Sequence, residues 1–330
     1  MGDRNQLQNA ILRVDAASFE ATALAVFRYQ ARYNPLYARY LSLLGRKVAE
    51  VERLAQIPHL PIGLFKNRAI QTGDWTAEVV FTSSGTTGAQ TSRHFIRDLA
   101  FYEAICERGF RQFYPPLDDY CLLALLPSYL ERSGSSLVYM VQHFMRFSRP
   151  ESGFFLHDTE ALVQRLAACR RRGIPVLLMG VSFALLDLAE RFALDLEGVR
   201  VVETGGMKGR RRELTRAELH ATLRRGLGIP EVHSEYGMTE LLSQAWSRGK
   251  GIFEAAPTMR VSLREVTDPF AQPGWGRVGV INICDLGNLD SISFIATDDL
   301  GRQWEDGRFE VLGRLDGSDV RGCNLLLGEE

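Results

Sequence analysis

Hydrophobic positions recur every three or four residues through the first 45 positions, and this spacing predicts amphipathic helices. One helix carries Phe19, Ala23, Val26 and Phe27, and a second begins at Pro35 and ends at Gly45. From residue 78 onward, short apolar runs alternate with further helical patterns. Strands are predicted at 78–81, 121–126, 175–179, 199–203 and 231–234, and helices at 99–106, 136–145, 159–172, 183–192 and 213–225. This alternation predicts an α/β protein with parallel strands covered by helices on both faces.

The pattern changes after Met259, where helical spacing disappears. Four segments alternate in polarity or carry β-branched residues between Gly, Pro and Asp turns: 260–266, 278–285, 291–297 and 309–312. We therefore predict two domains. The first, 1–258, comprises a helical N-terminal segment and an α/β nucleotide-binding body, and the second, 259–330, is a β-rich subdomain that ends at a hinge-like segment.

Composition and charge narrow the class of protein. The chain has 330 residues, of which 45% are hydrophobic, and its formal net charge is −1, so neither nucleic acid nor an anionic membrane is an expected partner. No apolar stretch approaches the ~20 residues of a membrane span, and the polar start lacks a signal peptide. The five cysteines are odd in number and form no CxxC pair, which argues against a zinc ribbon or a disulfide scaffold. We expect a cytoplasmic protein.

The strongest candidate for chemistry is the hydroxyl-rich segment that follows the strand at 78–81. It contains four hydroxyl side chains and two glycines: Ser83, Ser84, Gly85, Thr86, Thr87 and Gly88. Such a loop offers hydroxyls and backbone N–H groups to an anion, and its glycines allow a close approach. No Gly-Lys-Ser/Thr sequence ends it, so it is not a Walker A loop. A polar connecting loop is the alternative interpretation.

Four further segments follow the hydroxyl-rich segment in order. They are Thr204-Gly205-Gly206, Tyr236-Gly237-Met238-Thr239-Glu240, Asp298-Asp299-Leu300, and Gly313-Arg314-Leu315-Asp316 with Arg321-Gly322. Together with the Ser-Ser-Gly-Thr-Thr-Gly string, they resemble the ordered motifs of the adenylate-forming superfamily, which includes acyl-CoA synthetases, peptide-synthetase adenylation domains and luciferase. The resemblance extends over most of the chain and implies the fold of the N-terminal domain of those enzymes.

Within the superfamily, the chain most resembles the acyl-protein synthetases of the bacterial luminescence fatty-acid reductase system. The segments that carry this resemblance are 34–37, 60–62, 65–66, 135–140, 204–208 and 309–314. Phenylacetate-CoA ligases are next. Their phosphate loop also lacks the lysine common elsewhere in the superfamily, and Thr91 occupies that position here.

The resemblance implies an ATP- and Mg²⁺-dependent ligase that activates a carboxylic acid, fatty or otherwise hydrophobic, to acyl-AMP and transfers the acyl group to a thiol on a protein or small acceptor. It implies that Ser83, Ser84, Thr86 and Thr87, with the Gly85 and Gly88 amides, hold the pyrophosphate. Gly205, Gly206 and Tyr236 would contact adenine, Thr239 the α-phosphate and Glu240 the Mg²⁺. Asp299 would accept from the ribose, and Arg314 would donate to the ribose or phosphate.

Each single residue also has a plainer interpretation. In that interpretation Glu240 lies at a helix start and stabilises the helix dipole, Asp299 is a turn residue before Gly301, and Arg314 forms an ordinary surface ion pair. Asp298 is the alternative ribose partner. Ser135 is expected to cap the helix after it, although the 133–136 segment could instead face an anion.

Three further residues are weighed in the same way. His143 is expected to be a packed histidine on a helix face, with a place in an acyl pocket as the alternative. His94 is undecided. Cys323 is expected to be a buried structural cysteine, and its alternative role is an acyl-carrying thiol.

The chain ends soon after Asp316, where typical members of the superfamily continue into a lid domain with a catalytic lysine. We therefore expect the lid domain to be absent. A partner subunit would then supply the cation, or catalysis would be slow, or the protein would only bind nucleotide. An acyl-acceptor protein or a reductase is the expected protein partner. A non-catalytic nucleotide or acyl-adenylate binding module is one alternative function, and an acyl-CoA ligase is another.

Overall fold

The computed structural model describes residues 2–83, 91–126, 134–156, 158–205 and 214–315. The helices in these ranges are α1 (Gly2–Arg13), α2 (Phe19–Tyr33), α3 (Pro35–Leu43), α4 (Leu64–Asn67), α5 (Leu99–Phe113), α6 (Ser136–Phe147), α7 (Thr159–Arg171), α8 (Ser182–Arg191) and α9 (Arg216–Leu227). None of these helices is both long enough and apolar enough to cross a membrane.

The described part of the chain also contains fourteen strands. They are β1 (Leu60–Pro61), β2 (Val79–Thr82), β3 (Arg93–Ile96), β4 (Cys121–Leu125), β5 (Gly153–Phe154), β6 (Val176–Val181), β7 (Arg200–Thr204), β8 (His233–Tyr236), β9 (Ala245–Ser247), β10 (Ile252–Ala255), β11 (Met259–Arg264), β12 (Val278–Asp285), β13 (Phe294–Gln303) and β14 (Phe309–Arg314). The alternation of strands and helices up to β8 confirms the predicted α/β class.

Side-chain caps set several helix starts. Asn34, Asp98, Ser135 and Asp158 each accept a hydrogen bond from the backbone N–H three residues later, which satisfies a donor that the helix leaves unpaired. The predicted start of a helix at 213 is wrong, because α9 begins at Arg216. Thr215 caps that helix, and its backbone N–H donates to Glu218 Oε2 over 2.8 Å, which completes a capping box.

The chain divides into two compact units. Residues 1–76 group with 257–330, and residues 77–256 form the second unit. This division differs from the predicted one, which joins the N-terminal helices to the α/β body. Long-range hydrogen bonds explain the difference, since the Gln30 amide donates to the carbonyl oxygens of Asn288 and Leu289 over 3.0 and 3.1 Å. The Asn34 amide likewise donates to the Ser291 carbonyl over 3.0 Å.

The second unit holds the parallel sheet. Its strands run in the order β10-β9-β8-β7-β6-β4-β5, and β5, β4, β6, β7 and β8 pair in parallel. All residues of β4 and β6 are buried, as expected for strands covered on both faces. Strands β9 and β10 add an antiparallel hairpin that the sequence analysis did not predict, and β2 and β3 form a separate antiparallel pair.

The first unit contains the β-rich region. Strands β11, β12, β13 and β14 form an antiparallel sheet in chain order, and the short strand β1 pairs in parallel with β13. The predicted β-rich character of the segment after Met259 is therefore confirmed. The register of β13 and β14 shifts between Leu300 and Gly301, next to the predicted ribose-binding doublet.

Candidate active site

The carboxyl ends of β7 and β8 bring two of the predicted nucleotide-binding segments together. Thr204 and Glu235 are direct partners in the parallel register, so the Thr204-Gly205 turn lies beside the turn that begins at Tyr236. Gly205 adopts a φ of 71°, which favours glycine. In open parallel sheets, ligands bind outside the carboxyl ends of the strands, and both turns lie at this edge.

A hydrogen bond connects the last residue of β7 to the second-last residue of β8. The Thr204 hydroxyl donates to Oε2 of Glu235, and both side chains are buried. Burial raises the pKa of Glu235 to about 7, and the negative charge of Glu203 adds to this effect, while the Thr204 hydrogen bond opposes it. The Glu235 carboxyl therefore gains and loses its proton near neutral pH.

Glu203 has different surroundings on the neighbouring strand. Oε2 accepts from the Ser182 hydroxyl over 2.9 Å, and Oε1 lies 3.5 Å from Nε2 of His220 and 3.7 Å from Nη1 of Arg216. Burial would raise the pKa of Glu203, but His220 and Arg216 outweigh it and the pKa lies below its usual range. The pKa values of the two carboxyls are thus shifted in opposite directions, because Arg216 and His220 lie beside Glu203, whereas burial and the charge of Glu203 dominate at Glu235.

The segment from Tyr236 to Glu240 forms a compact turn. Tyr236 packs edge-on against Phe253, with ring centroids 5.9 Å apart, and Glu240 is buried with 7% of its surface exposed. The Leu241 N–H donates to the Met238 carbonyl over 3.1 Å. No helix occurs in the described residues 237–244, so the alternative that Glu240 favours a helix dipole is wrong.

The β2–β3 hairpin brings the start of the hydroxyl-rich segment to the same turn. Nδ1 of His94 in β3 lies 2.9 Å from the Thr239 carbonyl oxygen. Burial lowers the pKa of His94 to about 4, so the ring is neutral near pH 7, and the proton on Nδ1 is donated to that carbonyl. His94 pairs with Phe81 across the hairpin, one position from the pair formed by Thr82 and Arg93.

Two hydrogen bonds from backbone N–H groups further fix the end of the hairpin. The Ser92 N–H donates to Oγ of Ser83 over 2.9 Å, and the Thr82 N–H donates to the Gly134 carbonyl over 2.8 Å. A Cβ on Gly134 would lie 3.0 Å from the Val80 carbonyl oxygen, so glycine permits this close approach. The hydrogen bond from Ser92 thus fixes the position of Ser83. Six other predicted pyrophosphate or adenine residues lie outside the described ranges: Ser84, Gly85, Thr86, Thr87, Gly88 and Gly206.

The two predicted ribose residues lie opposite each other in the first unit. Asp299 and Arg314 are partners in the β13–β14 register, and Nε of Arg314 lies 3.4 Å from Oδ1 of Asp299. Asp299 is buried within a strand, so the interpretation as a turn residue is wrong. Arg314 is 67% exposed in its side chain and does form an ion pair, as the plainer interpretation expected. Asp298, the alternative ribose partner, is exposed.

The remaining candidates have clear local roles or lie outside the described residues. Oγ of Ser135 accepts from the Val138 N–H over 3.3 Å, which confirms the cap. His143 packs on a helix face, with Nε2 2.9 Å from Oε1 of Glu107 and Nδ1 3.1 Å from Oε1 of Glu103. Cys323 and Ser133 lie outside the described ranges.

Sequence reasoning missed the residues that connect these segments. His94 was undecided, and neither Glu235 nor Glu203 was singled out. The signal that could have found them is an acidic or imidazole side chain next to a β-branched or aromatic residue in a short strand, as in Val202-Glu203, His94-Phe95 and Glu235-Tyr236. Such a residue is buried by its neighbours and needs a polar partner.

Comparisons with known proteins give matches among solved structures alone. No family model and no curated protein matches the chain. A crystal structure of 2-hydroxyisobutyryl-CoA ligase in complex with 2-HIB-AMP and CoA, in an open conformation, is similar with a TM-score of 0.68 at 15% identity. The match covers 92% of this chain and 72% of the ligase.

Two further solved structures are similar to this chain. The thioesterification state of the same ligase, with 2-HIB-AMP and CoA, has a TM-score of 0.67 at 15% identity over 92% of this chain and 69% of the ligase. ATP-bound MatB from Rhodopseudomonas palustris has a TM-score of 0.53 at 17% identity over 75% of this chain and 49% of MatB. These likenesses confirm the predicted α/β fold, that of the N-terminal domain of adenylate-forming enzymes.

Proposed function

We propose that this chain binds ATP with Mg²⁺ and activates a carboxylic acid as its acyl adenylate. The contact between His94 and the Thr239 carbonyl carries the proposal, because it joins the hairpin that leads into Ser83 to the turn that contains Thr239 and Glu240. Both segments were predicted from sequence to hold one triphosphate. Structures with this fold contain ATP or an acyl-AMP, which supports the same nucleotide here.

In the proposed reaction, a carboxylate oxygen of the acid attacks the α-phosphorus of ATP. A new O–P bond forms, the bond from the α-phosphorus to the bridging oxygen breaks, and pyrophosphate leaves with that electron pair. The hydroxyls and amides of residues 83–88 would donate to the leaving pyrophosphate, and the Thr239 hydroxyl would donate to an α-phosphate oxygen. Such fixed donors lower the barrier because charge builds up on these oxygens.

Glu240 is the residue that would hold Mg²⁺. Its carboxylate supplies the hard oxygen ligand that Mg²⁺ prefers, and its burial limits competing hydration. The described residues contain no group of three metal-binding side chains, which fits an ion held by one carboxylate together with substrate phosphates. When bound, Mg²⁺ neutralises charge on those phosphates. Tyr236, Gly205 and Gly206 keep their proposed role at adenine, and Asp299 and Arg314 theirs at the ribose.

We propose that the acyl group then passes to a thiol on a protein or small acceptor. The thiol loses its proton to solvent, and its sulfur attacks the acyl carbon to form the thioester. The bond from the acyl carbon to the phosphate oxygen breaks, and AMP leaves with that electron pair. A fatty or other hydrophobic acid and a protein acceptor follow from the sequence resemblance to acyl-protein synthetases. Coenzyme A is the second candidate acceptor, since structures with this fold contain it. A cytoplasmic location agrees with the four free cysteines in the described ranges.

Exchange of labelled pyrophosphate into ATP tests the activation step over a panel of aliphatic and aromatic acids. We expect exchange with a subset of the acids, and its loss in Thr239→Val, which removes the hydroxyl but keeps the backbone carbonyl that His94 contacts. Glu197→Gln is the matched control, because Glu197 is exposed before the other end of β7. Assays with coenzyme A and with protein thiols then identify the acceptor. ATP binding without exchange for any acid would instead favour a binding module.

A further inference from the structure

One side chain, that of Glu235, connects the turns that follow β7 and β8. The carboxyl of Glu235 accepts from the Thr204 hydroxyl through Oε2, which connects the last residue of β7 to the residue before Tyr236. Ser182 adds to this arrangement, because its hydroxyl lies 2.9 Å from Oε2 of Glu203 and 3.0 Å from the Gly205 carbonyl oxygen. We propose that Glu235 is a positioning residue that holds the Thr204-Gly205 and Tyr236-Gly237 turns at the separation that ATP requires.

The other carboxyl oxygen lies directly against the second turn. A Cβ placed on Gly237 would overlap Oε1 of Glu235, and it would lie 3.4 Å from the carboxyl carbon of Glu235. The absence of a side chain at Gly237 thus lets the backbone of the turn rest on the Glu235 carboxyl. One oxygen is engaged by Thr204 and the other supports Gly237, so a displacement of this carboxyl would move both turns.

The surroundings make the arrangement sensitive to protons. The charged and titratable groups that interact with Glu235 within the described ranges are Glu203 on β7, Tyr102 on α5 and Tyr114 at the end of α5. None of them is a cation. Ionised Glu235 would place a second negative charge beside Glu203 in a buried site, whereas the protonated carboxyl adds no charge. ATP is itself an anion, so the protonated form favours ATP for the same reason.

The inference rests on the proposed function for its consequence, ATP affinity, while the geometry of the turns can be tested without ATP. With a pKa of about 7, the protonated fraction of Glu235 falls about tenfold between pH 6 and pH 8. Glu235→Gln keeps an acceptor for Thr204 and stays neutral at every pH. A purely structural role would give the same pH profile in both proteins.

Calorimetric titration with ATP and Mg²⁺ at pH 6, 7 and 8 measures the consequence. We expect the Kd of the wild type, divided by that of Glu235→Gln at the same pH, to rise from pH 6 to pH 8, since the ionisation of ATP cancels in the ratio. The rise reaches about tenfold if only protonated Glu235 permits ATP binding. Thr204→Val should weaken ATP binding at all three pH values, and Glu197→Gln should follow the wild type. A constant ratio would overturn the proton-linked role.

Hydrogen exchange of the apo protein, corrected for intrinsic rates, measures the geometry. We expect faster exchange in residues 200–205 and 233–241 of Thr204→Val than in the wild type. In the wild type, exchange in these residues should also increase from pH 6 to pH 8, and Glu235→Gln should show no such increase. Equal exchange in the wild type and both variants would overturn the positioning role. Absence of ATP binding in every protein, together with the expected exchange, would contradict the proposed function but support the positioning role.

Discussion

Nδ1 of His94 donates a hydrogen bond to the Thr239 carbonyl oxygen over 2.9 Å, and this contact joins two segments that are 145 residues apart in sequence. His94 belongs to the hairpin whose other strand leads into Ser83, while Thr239 belongs to the turn that carries Glu240. A neutral, buried imidazole gives this contact a fixed direction, because only one ring nitrogen carries a proton. The spacing of the two predicted triphosphate segments therefore depends on His94.

Removal of this contact should weaken both the fold and ATP binding. His94→Ala leaves the Thr239 carbonyl without its imidazole donor and creates a cavity, at a cost of about 3 kcal/mol in the free energy of unfolding. His94→Asn is the matched control, because its side-chain amide can donate from nearly the position of Nδ1. Urea unfolding and ATP titration of the three proteins check this prediction. Equal losses of stability and of ATP affinity in both variants would show that the volume of the ring matters rather than the hydrogen bond.

Glu235 should make the stability of the protein depend on pH. Its pKa of about 7 in the folded state exceeds the ordinary value of 4.5, so the folded state holds the proton more tightly. This contribution is complete at low pH and is lost as the pH rises from 4.5 through about 7. Glu235→Gln should therefore gain stability relative to the wild type, by roughly 3 kcal/mol at most, as the pH rises to 8.

Urea unfolding of Glu235→Gln and the wild type at pH 5, 6, 7 and 8 measures this difference. The comparison cancels the opposite effect of His59, His94 and His233, whose pKa values burial lowers to about 4. Those histidines make both proteins less stable as the pH falls from 6.5 towards 4. A difference in stability that stays constant from pH 5 to pH 8 would contradict the raised pKa of Glu235.

Gly237→Ala should destabilise the protein through its overlap with Glu235. The expected cost is about 1–3 kcal/mol, because the added methyl group displaces a buried carboxyl. In a Glu235→Ala background the same substitution should cost less than about 0.5 kcal/mol, so the double-mutant cycle should show strong coupling. Gly63→Ala is the control, since a Cβ at Gly63 meets no atom within 4 Å. Additive effects of the two substitutions on the free energy of unfolding would show that the added methyl group does not act through the Glu235 carboxyl.

Gln30 should be essential to the first unit. Its fully buried amide donates to Asn288, Leu289 and Ser293, and its carbonyl oxygen accepts from the Ser293 N–H over 3.0 Å. Gln30→Leu leaves these groups without the amide and should cost about 3–5 kcal/mol in the free energy of unfolding. Gln6→Leu, at an exposed position, should cost less than about 0.5 kcal/mol. Thermal unfolding distinguishes the two, and similar melting temperatures would contradict the argument.

The elements with a strong local pattern could be predicted from the sequence. The predicted strand 278–285 coincides with β12, and the helix after Asp98 and the caps at Asp158 and Ser135 follow from spacing and residue type. The hairpin of β9 and β10 was missed because its strands have three and four residues, too few to show a period. The start of α9 was misplaced even though Thr215 and Glu218 have the spacing of a capping box.

Long-range partners could not be predicted in the same way. The bonds of Gln30 join residues more than 250 positions apart, and they decide which unit the N-terminal helices join. At the candidate site, the sequence indicated the turns at Gly205 and Tyr236 but not the buried contact between Thr204 and Glu235 that joins them. The roles of Thr239, Glu240 and the other ATP-binding residues stay predictions.

Calorimetric titration of the protein with ATP, with and without Mg²⁺, tests the central claim most directly. We expect one site in the wild type and a Kd raised at least tenfold in Glu240→Gln when Mg²⁺ is present, with little difference between the two proteins in excess chelator. Arg314→Ala should also weaken binding, and Glu197→Gln should match the wild type. Equal ATP affinity in all four proteins, whether or not Mg²⁺ is present, would contradict the account.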